Sequence, residues 1–263
     1  MLRKVIVFLM ASLLASSVYS LDLAEIDKRL DRGDFLDSKK ELEKSFDKLN
    51  PNLKILWRIA RCYYELSDRA PNKKDTILLC EQGMELLKDY VDVKEGEPID
   101  RAKIVYWYDV LYSRRGKAIG IKESLNIIPE LFKLADKAIS IYPKFGDPYH
   151  LKAAIDDAVP GFLGGDKFRM SENFTKAISY DENIIFLVDA ATGFLGRNWD
   201  VKKKGAMAAK FGRTDGSPEN LSDKEFAKEL LQKALEVGKN KDFLSINEKE
   251  KIEEAKKNLK KLN

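Results

Sequence analysis

The sequence predicts an all-α protein built as an array of antiparallel helix hairpins, an α-solenoid. Apolar residues recur with the 3.6-residue period of a helix along nearly the whole chain after residue 20. Glycine and proline interrupt that period at repeated places, and no stretch shows the strict alternation typical of a strand. One hairpin cannot bury its apolar face alone, so stacked neighbours must supply the burial.

The first two hairpins follow from periodicity alone. Residues 23–30 and 35–49 form the first pair of helices, which Asn50-Pro51 ends. Residues 53–64 begin the second hairpin, and its return helix runs from about residue 73 to residue 91.

The third unit is longer than a simple repeat allows. A helix over residues 102–112 is followed by a basic, glycine-interrupted segment over 114–121 and by residues 122–128. Pro129 then suits the first turn of a return helix that Tyr142-Pro143 ends. An insertion in a repeat array often lies on the binding face.

The fourth hairpin starts at Asp147-Pro148 and turns at residues 160–165, where prolines and glycines cannot continue a helix. Asp166 is placed to cap the return helix. This half-hairpin is similar to the second half of a tetratricopeptide repeat, with the matching positions occupied by Gly165, Met170, Phe174 and Ala177.

The fifth hairpin is expected over residues 184–211, with Ala206 and Ala209 on its second helix. The predicted organisation is a signal peptide over 1–20, a helical repeat domain over 21–211, a linker over 212–220 and C-terminal capping helices over 221–263.

The N-terminus resembles a secretory signal peptide. Arg3 and Lys4 precede an apolar run over residues 5–14, and Val18-Tyr19-Ser20 offers a cleavage site. The protein is therefore expected in the periplasm, the alternative being an uncleaved anchor. Loss of the two basic residues takes the net charge from +4 to +2, which gives no case for nucleic-acid binding. The mature chain has no run long enough for a stable membrane span.

The two cysteines, Cys62 and Cys80, fall on the two arms of one predicted hairpin. In an oxidising compartment they could form a disulfide. Two buried free thiols are the other interpretation.

The third unit also carries the strongest candidate for a binding site. Consecutive aromatic residues cannot all face one neighbour, because each helical step turns the side chain by about 100°. One interpretation buries them between repeats; the other places them in a groove with basic residues at its mouth. The candidate groove residues are Tyr106, Trp107, Tyr108, Tyr112, Arg114, Lys117 and Lys122.

No pattern of catalytic, cofactor-binding or metal-ligating residues stands out, so the chain is not expected to be an enzyme or to carry a cofactor. His150 is the single histidine and is assigned a structural role. Asp156 and Asp157 are adjacent on a helix, so they do not face each other, and a solvated helix end accounts for them.

The segments WYDVLYSRRGKAIGIKESL, DKAISIYP, PGFLGGD and NFTKAISYDEN resemble the tetratricopeptide-like T component of TRAP transporters, over roughly residues 102–211. The resemblance implies a periplasmic scaffold that associates with a solute-binding protein or transporter subunit and could form a homo-oligomer. The lipidated cysteine of the transporter lipoproteins is missing. The expected function is binding of another envelope protein; the alternative is a carrier of a small hydrophobic or anionic ligand in the aromatic groove.

Overall fold

The computed structural model describes residues 21–262, which contain thirteen α-helices and no β-strand. The helices are α1 (Leu23–Asp31), α2 (Phe35–Ser45), α3 (Leu53–Asp68), α4 (Lys73–Leu87), α5 (Pro98–Ile119), α6 (Ile121–Asn126), α7 (Ile128–Ile141), α8 (Gly146–Ala158), α9 (Lys167–Tyr180), α10 (Ile184–Arg197), α11 (Val201–Phe211), α12 (Asp223–Lys239) and α13 (Ile246–Leu262). The predicted all-α class is confirmed. The predicted signal peptide lies outside the described residues.

The helices form two layers. In the inner layer α3 packs against α5, α5 contacts α8, and α8 contacts α10. In the outer layer α4, α7, α9 and α12 each pack against the inner helix of their own hairpin. None of the helices within residues 21–262 combines the length and the apolar character needed to cross a bilayer.

The third unit differs from the prediction, because its glycine-interrupted segment is helical. Helix α5 continues through Gly116 to Ile119. A Cβ atom on Gly116 would lie 2.4 Å from Ile127 Cδ1, so glycine allows the chain after α6 to pack closely against α5. The helix ends at Gly120, whose φ of 148° disfavours other residues. The insertion therefore lengthens an inner helix and adds the single short helix α6.

The turn between α8 and α9 is tightly built. Gly164 has a φ of 100°, and a Cβ atom on Gly165 would lie only 1.8 Å from the Val159 carbonyl oxygen. Asp166 caps α9 as predicted, accepting hydrogen bonds from the backbone N–H of Phe168 at 2.9 Å and of Arg169 at 3.0 Å. The turn thus depends on glycine at two positions for two different reasons.

Asp156 is not the solvated helix end that the sequence predicts. Its side chain is fully buried and accepts hydrogen bonds from Arg169 Nε at 2.6 Å and from the backbone N–H of Asp166 at 3.1 Å. Asp157 pairs with Lys167 at 2.8 Å. The Asp156 carboxylate thus links α8 to the start of α9, and these hydrogen bonds account for its burial.

The second helix of the fifth hairpin is not the one expected within residues 184–211. The partner of α10 is α12, and the two share a core that includes Leu187, Phe194 and Leu231. Helix α11 lies outside this core, with Ala206 exposed and Lys204 as its one buried residue. The helix predicted as a C-terminal cap is therefore part of the array.

A buried charge network holds residues 212–220, the segment expected as a linker. Arg197 donates hydrogen bonds to both oxygens of Asp223, at 2.6 and 2.8 Å, and to both oxygens of Asp215, at 2.8 and 3.0 Å. Lys204 reaches Asp223 at 3.2 Å and the hydroxyl of Ser217 at 2.7 Å. Burial would raise the pKa of Asp215, but the hydrogen bonds from Arg197 outweigh it and lower that pKa. The segment is fixed by these ionic contacts.

The last helix returns to the first hairpins. Asn247 of α13 donates to Glu65 Oε1 at 3.1 Å and accepts from Arg69 Nη2 at 2.8 Å. Ile246 packs against the cluster that contains Ile26 and Leu30. The array therefore closes on itself, since α13 packs against the first hairpins as well as against α12.

Both cysteines are buried free thiols in this structure. Cys62 belongs to the cluster around Ile26 and Leu30, whereas Cys80 packs with Leu56 and Leu87 in the next cluster. Burial raises the pKa of Cys62 to about 12 and raises that of Cys80 as well. Of the two interpretations, this structure has the free thiols, and the two side chains fill different parts of the core.

Candidate functional site

The inner helices enclose a groove of about 530 Å³. Its walls come from α3, α5, α8, α10 and α13, together with the residues just before α8 and α10. The lining residues are Trp57, Arg61, Tyr64, Glu65, Asp68, Lys103, Tyr106, Trp107, Phe145, Asp147, His150, Asn183, Ile185, Phe186, Asp189, Asn247, Glu250 and Lys251. Closure of the array by α13 completes this groove.

One wall is aromatic. Trp107 packs against Tyr64 with ring centroids 5.7 Å apart, and Tyr106 meets Phe145 edge to face at 5.4 Å. Trp57 continues the wall and donates its indole N–H to Asp100 at 2.9 Å. Burial raises the pKa of Tyr106 well above its ordinary value. These rings offer a rigid apolar surface to a bound molecule.

Several charged groups of the groove pair with one another. His150 Nε2 lies 2.9 Å from Asp189 Oδ2, and Lys251 of α13 lies 2.5 Å from the other oxygen of that carboxylate. The His150 ring also stacks on Phe186 at 4.7 Å. The histidine is thus held in place from two sides, which agrees with the structural role that the sequence predicts and also places it in the groove wall.

Three charged groups of the groove have no ion-pair partner among the described residues: Lys103, Asp147 and the exposed Glu250. The Lys103 ammonium sits 4.2 Å above the Trp57 ring, with no carboxylate within 4.0 Å in the part of the chain that the structure describes. Burial lowers the pKa of Lys103, and nearby Arg58 lowers it further. Burial raises the pKa of Asp147. The groove therefore presents one unpaired cationic group and two unpaired acidic groups to a ligand, of which Lys103 and Asp147 are the less exposed.

Two of the seven predicted groove residues line the groove, and the other five do not. Tyr106 and Trp107 line the groove. Tyr108 and Tyr112 pack instead between α5 and its outer neighbours, as half-buried members of the adjoining clusters. The 100° step along α5 produces this division.

The three basic candidates do not line the groove either. Arg114 lies at its rim, where it pairs with the lining residue Asp68 at 3.0 Å. Lys117 lies near the C-terminal end of α5 and Lys122 lies in α6, and both are exposed. Arg114 is thus the one basic candidate beside the groove, whereas Lys117 and Lys122 are absent from its wall because α5 continues beyond it and α6 follows.

Most of the groove was not predictable from one stretch of sequence. Residues such as Trp57, Lys103, Asp147 and Lys251 lie on different helices that only the closed array brings together. One feature of the sequence could have indicated the groove: a charged residue, such as Lys103, at a position of an inner helix that faces inward. Within residues 21–262 no group of three or more histidine, cysteine, aspartate or glutamate side chains is placed to hold a metal ion.

Asp109, also on α5, is a buried carboxyl group whose two oxygens have no hydrogen-bond partner among the described residues. Burial, followed by repulsion from Glu130, raises its pKa well above the ordinary value. The carboxyl is therefore protonated in the folded protein at pH values where the unfolded chain is ionised. Its contribution to stability is full below the unfolded pKa and is lost as the pH rises through the folded pKa.

We expect Asp109→Asn to raise the free energy of unfolding at about pH 8 by about 1–3 kcal/mol. At about pH 2.5 the two proteins should differ little, because Asp109, with an unfolded pKa of about 3.9, is then mostly neutral in both states. Urea unfolding at the two pH values measures the difference. An equal effect at both would contradict the assignment of a buried neutral carboxyl.

Comparison with known protein families matches residues 22–153 to the regulator of microtubule dynamics protein 1-3 family. No curated protein matches the chain. The matched segment runs from just before α1 into α8 and includes the aromatic wall of the groove. Since this segment is half of the 263 residues, the chain belongs to the regulator of microtubule dynamics protein 1-3 family.

Proposed function

We propose that the protein is a binding scaffold without catalytic activity, and that its central groove holds a segment of a partner protein. The groove itself carries this proposal. It joins five helices, presents the rigid rings of Tyr64, Tyr106 and Trp107, and offers the unpaired cation of Lys103 beside unpaired acids that include Asp147. A peptide segment supplies apolar side chains for the rings and charged groups for Lys103 and Asp147.

Lys103 gives this binding its chemical preference. An ammonium that is partly removed from water and lacks a carboxylate partner is less stable than a solvated one, and the lowered pKa reflects that cost. An acidic group on the ligand would supply the missing partner. We therefore infer that the bound segment places a carboxylate beside Lys103.

Site-specific photocrosslinking tests the proposal. A benzophenone analogue of phenylalanine in place of Trp107 should capture the partner in the native cell, and Lys103→Glu should reduce the yield by about tenfold. The same analogue in place of Phe211, which is exposed on α11 away from the groove, should not capture it. Lys239→Glu, at the exposed end of α12, serves as the charge control. Equal capture from both positions, or capture only of further copies of the chain, would contradict the proposal.

A narrower proposal places the scaffold in the periplasm, as an accessory to a solute-binding protein or transporter subunit. It rests on the signal-peptide pattern of residues 1–20 and on the motif resemblance over residues 102–211. The family description gives it no support, and instead names regulation of microtubule dynamics. Identification of the captured protein decides between an envelope protein and tubulin, and co-sedimentation with polymerised tubulin tests the second directly.

The alternative is a carrier of a small hydrophobic or anionic ligand. The volume of about 530 Å³ favours it, because pockets for single small molecules have volumes of about 300–1,000 Å³. Native mass spectrometry of protein purified from its own cells tests this function. A mass excess that is lost on denaturation and weakened by Lys103→Glu would favour the carrier over the scaffold.

A further inference from the structure

Large apolar side chains project from the far ends of two inner helices. Ile119 and Ile121 flank the break between α5 and α6 and are 43% and 81% exposed. Phe162 and Leu163 lie in the turn after α8 and are 87% and 44% exposed. We call these four residues the apolar edge.

The two projecting turns lie on the same side of the molecule because both border one hydrophobic cluster. Gly116, one turn before Ile119, lies against Ile127. Ile127 packs in a cluster with Ile155 of α8, and Val159, just before the second turn, packs against that same cluster. The ends of α5 and α8 are therefore neighbours, as expected for consecutive inner helices that run in the same direction.

Around the apolar edge, most of the charged groups that have no ion-pair partner are basic. Most of the nearby acids are paired: Asp68 with Arg114, Glu123 with Arg115, and Asp157 with Lys167. Asp75, at the start of α4, is the exception and accepts a hydrogen bond from Asn72. By contrast, four exposed lysines have no carboxylate within 4.0 Å among residues 21–262. These are Lys117 and Lys122, which flank the two isoleucines, and Lys73 and Lys74, at the start of α4 on the same side.

We propose that the apolar edge docks the protein on an anionic lipid bilayer. Exposed isoleucine and phenylalanine at the tips of turns can enter the boundary between headgroups and acyl chains, while the flanking lysines meet the lipid phosphates. A helical protein partner would require an apolar stripe along a helix or a groove, and the edge offers neither.

Vesicle sedimentation of the full chain tests this surface. The protein should pellet with mixed phosphatidylcholine and phosphatidylglycerol vesicles and much less with phosphatidylcholine alone. Ile121→Ser combined with Phe162→Ser should weaken binding by about tenfold or more, since each side chain loses its transfer from water. Lys117→Gln combined with Lys122→Gln should weaken it by about tenfold and reduce its dependence on salt.

Leu49→Ser is the matched control. Leu49 is 90% exposed but precedes α3, so it lies at the opposite edge of the array. All the altered side chains are exposed, and circular dichroism verifies that the variants fold. Failure to pellet with the mixed vesicles, equal binding to neutral vesicles, or an equal loss with Leu49→Ser would each overturn the proposal.

Discussion

Arg197→Ala is expected to lower the free energy of unfolding by about 3–5 kcal/mol. Arg197 is buried, and its guanidinium is shared by Asp215 and Asp223. Removal of the cation leaves two buried carboxylates with only Lys204 to offset them, and an uncompensated buried charge is among the most destabilising changes in a protein. Urea unfolding followed by circular dichroism measures the loss. If the variant is too unstable to purify, Arg197→Lys, which keeps the charge, should show a smaller loss.

The control is Arg213→Ala. Arg213 also pairs with a carboxylate, that of Asp166, but its side chain is 35% exposed, so its removal should cost less than about 1 kcal/mol. The difference between the parent and Arg197→Ala should also shrink in acid. The lowered pKa of Asp215 means that its favourable contribution is present above the unfolded pKa and is lost as the pH falls through the folded pKa. Equal effects of the two arginine substitutions would show that the network is not critical.

Gly165→Ala should lower the free energy of unfolding by about 3 kcal/mol. The added methyl group would overlap the Val159 carbonyl oxygen, and that backbone atom cannot move without distorting the turn between α8 and α9. Gly161 lies in the same turn with open space around its Cα and a permitted φ, so Gly161→Ala should change the stability by less than about 0.5 kcal/mol. Thermal unfolding of the two variants side by side tests the prediction. A similar small effect of both would mean that the turn relaxes easily.

The helices were predictable where periodicity and breakers agree. The 3.6-residue pattern and the Asn50-Pro51 and Pro160 breaks predicted the first four hairpins in order. Local signals failed where a tertiary contact decides the outcome. Gly116 resembles a helix breaker but lies inside α5, where the side chain of Ile127 occupies the space that a larger residue would need. Residues 212–220 resemble a linker in composition, yet the buried Arg197 fixes them through Asp215.

The binding groove was only partly predictable for a similar reason. The aromatic run of α5 correctly indicated Tyr106 and Trp107, since consecutive rings must face different surfaces. Lys117 and Lys122 were assigned to the same site by nearness in sequence, but Lys117 lies farther along α5 and Lys122 lies on α6, after the break at Gly120. Asp147 and Lys251 lie more than a hundred residues apart in the chain, and no sequence spacing relates them.

The return of α13 to the first hairpins changes how the chain is expected to unfold. In an open repeat array each unit contacts only its neighbours, so the ends can fray and the array can lose one unit at a time. Here Asn247 joins Glu65 and Arg69 across more than 170 residues of sequence, so loss of either end also removes contacts from the other. These contacts raise the contact order and favour slower folding. They also couple the two ends into one cooperative unit, in which hydrogen exchange in α1 and α13 should report the same opening event.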